Sequence, residues 1–319
     1  MRTLEILEEL FFVQRGYLSG NHFVHRSDEP VLIDTGYVSA FAETESALLD
    51  LGMKSEQVRV IINTHTHCDH VGGNRIIQDK SGCEIAMHRV GKHFIDTRDD
   101  WATWWRYYGQ EGDFFRCHTP LEDGDIIYVG PHEFEVIYTP GHAADGIVLY
   151  NRKEKLLISS DTLWENDTAV MTLRVEGTLA LFTMLESLTT LSRLDVKIVY
   201  PGHGRPFTDF RGAIASARKK LRGFLGSRRR IGSDLIKKIV VYTLLMKGSV
   251  EEAAFFDHVM GTHWYRETVD LYFNGNYKGK YYDIMSEFLR RGIIKRARGR
   301  IFTTAELTSG GGQNAPGGI

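Results

Sequence analysis

Through the first two hundred residues, short apolar runs alternate with turn-forming residues, as expected of strands that stop on Gly, Pro, Asn or Asp. Runs at 11–16, 22–26, 31–36, 58–64, 84–88, 125–130, 134–141, 146–151, 155–161 and 196–202 read as strands. Between them, segments 40–52, 74–82 and 177–194 carry apolar residues at helical spacing, and the first two close on glycine. The pattern predicts an α/β fold. Past about residue 210 the strand runs nearly vanish. Segments 211–226, 233–248, 250–260 and 281–292 read as helices, and 293–304 follows, where Ala297-Arg298-Gly299 can turn a two-stranded hairpin. Helices closed by a basic hairpin predict a winged-helix-like unit. The expected organisation is an α/β unit over 1–209, a mostly helical winged-helix-like unit over 210–308 and a disordered tail over 309–319, which has nothing to bury.

Composition narrows this only a little. At 319 residues the chain has room for two domains, and 42% apolar with 25% charged residues excludes wholesale disorder or a fibrous repeat. No segment approaches the roughly 18 to 20 apolar residues of a membrane span. Glu5, Glu8 and Glu9 precede the first apolar run, unlike a signal peptide, so a cytoplasmic location is expected. Cys68, Cys83 and Cys117 are too few and too scattered for a disulfide framework and read as reduced thiols. The net charge of −2 hides a split: from Arg205 onward there are 21 basic against 10 acidic residues, and before it 18 against 31.

The chemistry concentrates after the run at 58–64. Asn63-Thr64-His65-Thr66-His67-Cys68-Asp69-His70-Val71-Gly72-Gly73 places three histidines and a carboxylate within six residues. Imidazole nitrogen and carboxylate oxygen together suit zinc, and also iron or manganese, so a metal site is the leading reading of that density. One loop cannot surround an ion alone. Three later strand ends offer the rest: His142 in TPGHAAD, Asp161 in LISSDTLW and His203 in YPGHGRP.

This set resembles the signature of the metallo-β-lactamase-fold hydrolase superfamily, HxHxDH followed by a His, an Asp and a His at strand ends. The resemblance covers about residues 10 to 205. It implies an αβ/βα sandwich, here the catalytic unit over 1–209, with two divalent metal ions at its edge. By that resemblance His65, His67 and His142 hold the first ion, Asp69, His70 and His203 the second, and Asp161 bridges both. Asp34, in LIDTG, is expected beneath the site, orienting ligands through hydrogen bonds. The implied activity is hydrolysis by a metal-bridging hydroxide, with Asp69 also orienting the nucleophile. Ser160 stands where many relatives have glycine, which bears on the local loop geometry.

Substrate choice is addressed by two further features. Trp101, Trp104, Trp105 and Tyr108 fall at i, i+3, i+4 and i+7, one face of a predicted helix that either packs on the core or caps the cleft, with Trp164 able to join it. An apolar acyl chain, ring or base would suit such a wall. The basic tail either packs against the acidic first unit or tracks phosphates; some superfamily members with a similar tail are endoribonucleases resembling β-lactamase-like protein 2. The expected function is therefore a dinuclear hydrolase of an ester, thioester or lactone. The alternatives are a single-strand endoribonuclease or phosphodiesterase that binds RNA through its basic tail, and a non-catalytic metal-binding sensor. A small-molecule substrate, no membrane partner and a homo-oligomeric state complete the expectations.

Overall fold

The structure is a computed structural model, and it describes residues 2–305. The tail expected over 309–319 lies outside the described residues. Seven strands form a first sheet in chain order: β1 (Arg2–Leu7), β2 (Leu10–Gln14), β3 (His22–His25), β4 (Val31–Ile33), β5 (Val60–Asn63), β6 (Glu84–His88) and β7 (Thr119–Leu121). Five form a second: β8 (Ile126–Val129), β9 (His132–Tyr138), β10 (Ile147–Asn151), β11 (Leu156–Ser160) and β12 (Ile198–Pro201). The first helices are α1 (Phe41–Asp50), α2 (Cys68–Val71), α3 (Asn74–Ser81), α4 (Arg89–Thr97), α5 (Trp105–Tyr108) and α6 (Ala180–Leu191).

Side chains that alternate along buried strands join the layers. On β10, Ile147 and Leu149 enter the core between the sheets, while Val148 and Tyr150 face the outer core with α6. On β4, Val31 and Ile33 point inward and Leu32 outward, toward Ala47 and Leu48 of α1. Each sheet is thus covered outside by helices and inside by the other sheet, the αβ/βα sandwich expected.

Strand direction then decides where the loops gather. Strands β4, β5, β6 and β7 run parallel, so the ends of β4 and β5 lie at one edge. In the second sheet β9 and β11 are both antiparallel to β10, and β11 is parallel to β12. The C-terminal ends of β9, β11 and β12 therefore also share an edge. The amide of Ile147 donates to the Thr64 carbonyl at 2.9 Å, and that of Asn21 to the Gly202 carbonyl at 2.6 Å, tying the two edges together.

The C-terminal region holds α7 (Phe210–Gly226), α8 (Arg228–Lys247), α9 (Glu252–Met260), α10 (His263–Phe273) and α11 (Tyr277–Arg291). A small sheet of β13 (Val250–Glu251), β14 (Ile294–Ala297) and β15 (Arg300–Thr303) has β15 in its centre. Its hairpin turns at Arg298 and Gly299, whose positive φ values of 50° and 73° suit a tight two-residue loop. The core of this region also takes in Trp104, Tyr107 and Tyr108. No helix among the described residues is long and apolar enough to cross a membrane.

One expected element is absent. The stripe at 101–108 is not a continuous helix, because Asp99 Oδ1 accepts from the amides of Trp101 and Ala102 and Trp104 adopts φ 72°. Helix α5 covers only Trp105–Tyr108, so the four aromatics split between different neighbours.

Candidate metal centre

The turn after β5 is compact because Gly72 approaches the backbone closely: a Cβ there would lie 2.3 Å from the Val38 amide nitrogen. Only glycine fits. Helix α2 begins at Cys68 and projects His70, while His65 and His67 precede it. His142 follows β9, Asp161 follows the end of β11 and His203 follows β12.

All seven converge. Ligand atoms of His65, His67 and His142 form one group within 4.8 Å of one another, as do those of His65, His70 and Asp161, and those of Asp69, His70 and His203. Asp161 spans the cluster, with Oδ1 3.6 Å from His70 Nε2 and Oδ2 3.4 Å from His142 Nε2 and 3.8 Å from His203 Nε2. Asp69 Oδ2 lies 3.0 Å from His203 Nε2.

The donor set fits a cation. The Nε2 atoms of His65, His67, His70 and His142 are buried without a hydrogen-bond partner, an arrangement that costs free energy unless something else engages them. Their outer nitrogens are held in several cases. His142 Nδ1 donates to the Val170 carbonyl at 2.7 Å, which leaves its Nε2 lone pair facing the cluster, and His70 Nδ1 donates to Asp34 Oδ2 at 2.8 Å, which fixes the orientation of its ring. Burial, followed by the neighbouring imidazoles, pushes the pKa values of His65 and His67 well down, keeping both neutral and able to ligate. His70 goes the other way: burial opposes its charge, but Asp34, Asp69 and Asp161 outweigh that and raise it. Burial raises Asp161, yet the His203 and His70 charges win and hold it well below the usual carboxylate range. The carboxylates thus draw positive charge to the spot.

Asp34 sits beneath, at φ 59°. It accepts from the Thr64 amide at 2.9 Å and from Thr64 Oγ1 at 2.7 Å as well as from His70. Ser160, also left-handed at φ 46°, places its Oγ 2.7 Å from Thr64 Oγ1 and 3.4 Å from His65 Nδ1. This backbone conformation explains why a glycine would be at home in its place.

The aromatic residues divide. Trp104 lies against His67, with ring centroids 3.8 Å apart, and Trp164 packs 5.2 Å from His203. Trp105 instead enters the core outside the first sheet and donates to the Thr66 carbonyl. Tyr108 joins the C-terminal core, and Trp101 packs partly buried against it.

Sequence reasoning missed several neighbours. Tyr17, in the β2–β3 loop, stacks on His203 at 6.2 Å and 9°. Glu176 accepts from Trp104 Nε1, and burial raises its pKa to about 8. The run RGYLSGNH, with glycines on both sides of Tyr17 directly after a strand, was the available signal for the first; none marked Glu176.

Two sheets with helices outside and a His/Asp cluster on their common rim define the class. A family model described as the metallo-beta-lactamase superfamily matches residues 21–203, more than half of the chain, and the chain belongs to that superfamily. It is similar to hydroxyacylglutathione hydrolase of Maricaulis maris, 28% identical over 202 residues, which are 62% of this chain and 67% of that protein. It is 26% identical over 183 residues to the human acyl-coenzyme A thioesterase MBLAC2, covering 49% of this chain and 64% of the relative. The matches thus span about two thirds of these relatives' length. Among solved structures, a metallo-beta-lactamase family protein of Thermus thermophilus superposes with a TM-score of 0.61, at 20% identity, over 94% of this chain and all of that one.

Proposed function

We propose that the chain is a dinuclear metal-dependent hydrolase acting on thioesters, with His65, His67 and His142 around one ion, Asp69, His70 and His203 around the other, and Asp161 between them. The observation that carries this is the convergence of four buried, unpartnered Nε2 atoms on overlapping donor groups, with Asp161 in the group that links the other two. Divalent cations held there lower the pKa of water from 15.7 toward about 7 and polarise a carbonyl. The protein's own groups do the rest. Asp69 would orient the attacking water and receive its proton. Trp104, Trp164 and Tyr17 give the rim an apolar wall suited to an acyl chain and to keeping bulk water out. Water adds to the carbonyl carbon, the C–S bond breaks, and a carboxylate and a thiol leave.

The named relatives favour a thioester over a lactone or simple ester, since acyl-coenzyme A and acylglutathione both carry one. Zinc as the ion, a small molecule as the substrate and the cytoplasm as the compartment belong to the same reading. So does a division at 209, with 210–308 as a winged-helix-like unit supported by the sheet β13-β15-β14 and its hairpin. The ribonuclease alternative loses some support because five of the tail's basic residues are engaged internally: Lys220 and Lys238 with Asp167 and Asp234, Lys237 and Arg291 with Glu287, and Arg296 with Glu252.

Elemental analysis beside turnover of acyl-coenzyme A, acylglutathione and p-nitrophenyl ester panels tests the proposal. Thioester hydrolysis abolished by a chelator and restored by zinc is expected. Metal-loaded protein that releases nucleotides from single-stranded RNA but no thiol from any thioester would overturn it.

A further inference from the structure

Helix α8 runs past the rim and carries the polar side chains of Asp234, Lys238 and Tyr242 one turn apart on a mostly buried face. Tyr242 Oη donates to the Leu18 carbonyl at 3.0 Å and lies 3.8 Å from Cys68 Sγ. Leu18 follows Tyr17, the residue stacked on His203, and it packs between the C-terminal core and the core outside the first sheet. Cys68 precedes Asp69, whose carbonyl accepts from Gly20 of the same β2–β3 loop at 2.8 Å.

Four residues earlier, Lys238 grips a different loop, the one between β11 and α6. Its Nζ donates to the Thr168 carbonyl, pairs with Asp167 at 3.3 Å and Asp234 at 3.0 Å, and lies 5.9 Å from the Trp164 ring. Trp164 in turn donates to Asp161 Oδ1 at 3.2 Å and packs on His203. Two loops, each carrying an aromatic ring that touches His203, are therefore fastened to neighbouring turns of one helix.

Packing alone does not call for these groups. The face around them carries Leu235, Ile239 and Leu245 in the C-terminal core, and an apolar side chain at 238 would avoid the desolvation of a buried ammonium. What an apolar residue cannot do is hold a loop carbonyl in one place. A buried polar network restricts its members to one arrangement when every member is satisfied.

We propose that Tyr242 and Lys238 are positioning residues of the metal centre: α8 clasps the β2–β3 and β11–α6 loops and so fixes His203, Asp69 and Asp161. This rests on the metal-centre reading above, and its test needs no substrate.

The full chain, stripped and reloaded with cobalt(II), is compared with Y242F, which removes only a hydroxyl, and with K238M and K238R. The readouts are the visible spectrum of the bound cobalt, cobalt affinity by chelator competition, and thermal melting of the metal-free proteins. The expected result for Y242F is a melting temperature close to wild type, an altered cobalt spectrum and an affinity weakened about 10-fold, the low end for groups that orient ligands. K238M is expected to change the spectrum and affinity in the same way but also to lower the melting temperature, since Asp167, Asp234 and the Thr168 carbonyl lose a partner, and K238R to restore part of both losses. Wild-type spectrum and affinity in a folded Y242F would overturn the clasp whatever K238M does. A wild-type chain that takes up no cobalt would overturn the metal-centre reading, and the clasp with it.

Discussion

The indole of Trp104 covers the imidazole of His67, their ring centroids 3.8 Å apart and their planes tilted by 35°. The indole is pinned from behind by Glu176, which accepts its N–H. Burial raises the Glu176 pKa from the ordinary 4.5 to about 8, so at neutral pH the folded protein carries a proton there that the unfolded chain has lost.

That difference has a sign. The contribution of Glu176 is fully present below about pH 4.5 and is lost as pH rises toward 8, by at most about 1.4 kcal/mol per pH unit, the slope of a single proton. E176Q, which never ionises, should flatten this part of the stability profile of the metal-free protein and gain on wild type as pH rises from 5 to 8. Urea unfolding at several pH values measures it; parallel profiles would refute the assignment.

Asp34 accepts three hydrogen bonds, from the Thr64 amide, Thr64 Oγ1 and His70. In D34A these donors lose their partner, and His70 loses what fixes its tautomer. Metal affinity is expected to fall 10- to 100-fold, read by competition with a chromogenic chelator. An affinity equal to wild type would mean that Asp34 serves only the turn.

At Ser160 two effects oppose. A glycine there relieves a left-handed φ of 46° but gives up the hydroxyl 2.7 Å from Thr64 Oγ1. S160G should therefore change stability by less than about 1 kcal/mol, whereas S160A keeps the strain, loses the hydrogen bond and should cost about 1 kcal/mol. Equilibrium denaturation of the pair separates the two contributions.

Removing bound ions should lower the melting temperature, since ligands that bind only the folded state stabilise it. With free zinc at 100 times Kd, each site contributes about 2.7 kcal/mol, roughly 4 °C in a protein of this size. Calorimetry before and after chelation checks this, and no shift on adding zinc would count against any site among these histidines.

Much of the rim was legible in the sequence because it is built from strand ends. His142, Asp161 and His203 each stand where an apolar run stops, and the sheet topology turns those stops into one edge. Torsion angles were not legible: nothing in the letters of Asp34 or Ser160 announces a positive φ. The spacing of Trp101, Trp104, Trp105 and Tyr108 matched a helix, but the Asp99 side chain captured two of its amides and sent the indoles to different neighbours. Helix α10 was missed although Trp264, Tyr265, Thr268, Val269 and Tyr272 fall at helical spacing, since aromatic and β-branched residues also suit strands. Lys238 looked like one more charge in a basic tail. Its spacing of four from Asp234, amid isoleucines, was the clue to an internal pair.

Lys238 and Tyr242 come later in the chain than every histidine of the cluster. On the clasp proposed above, a chain cut before α8 would keep every imidazole of the cluster and lose the two side chains that steady their loops.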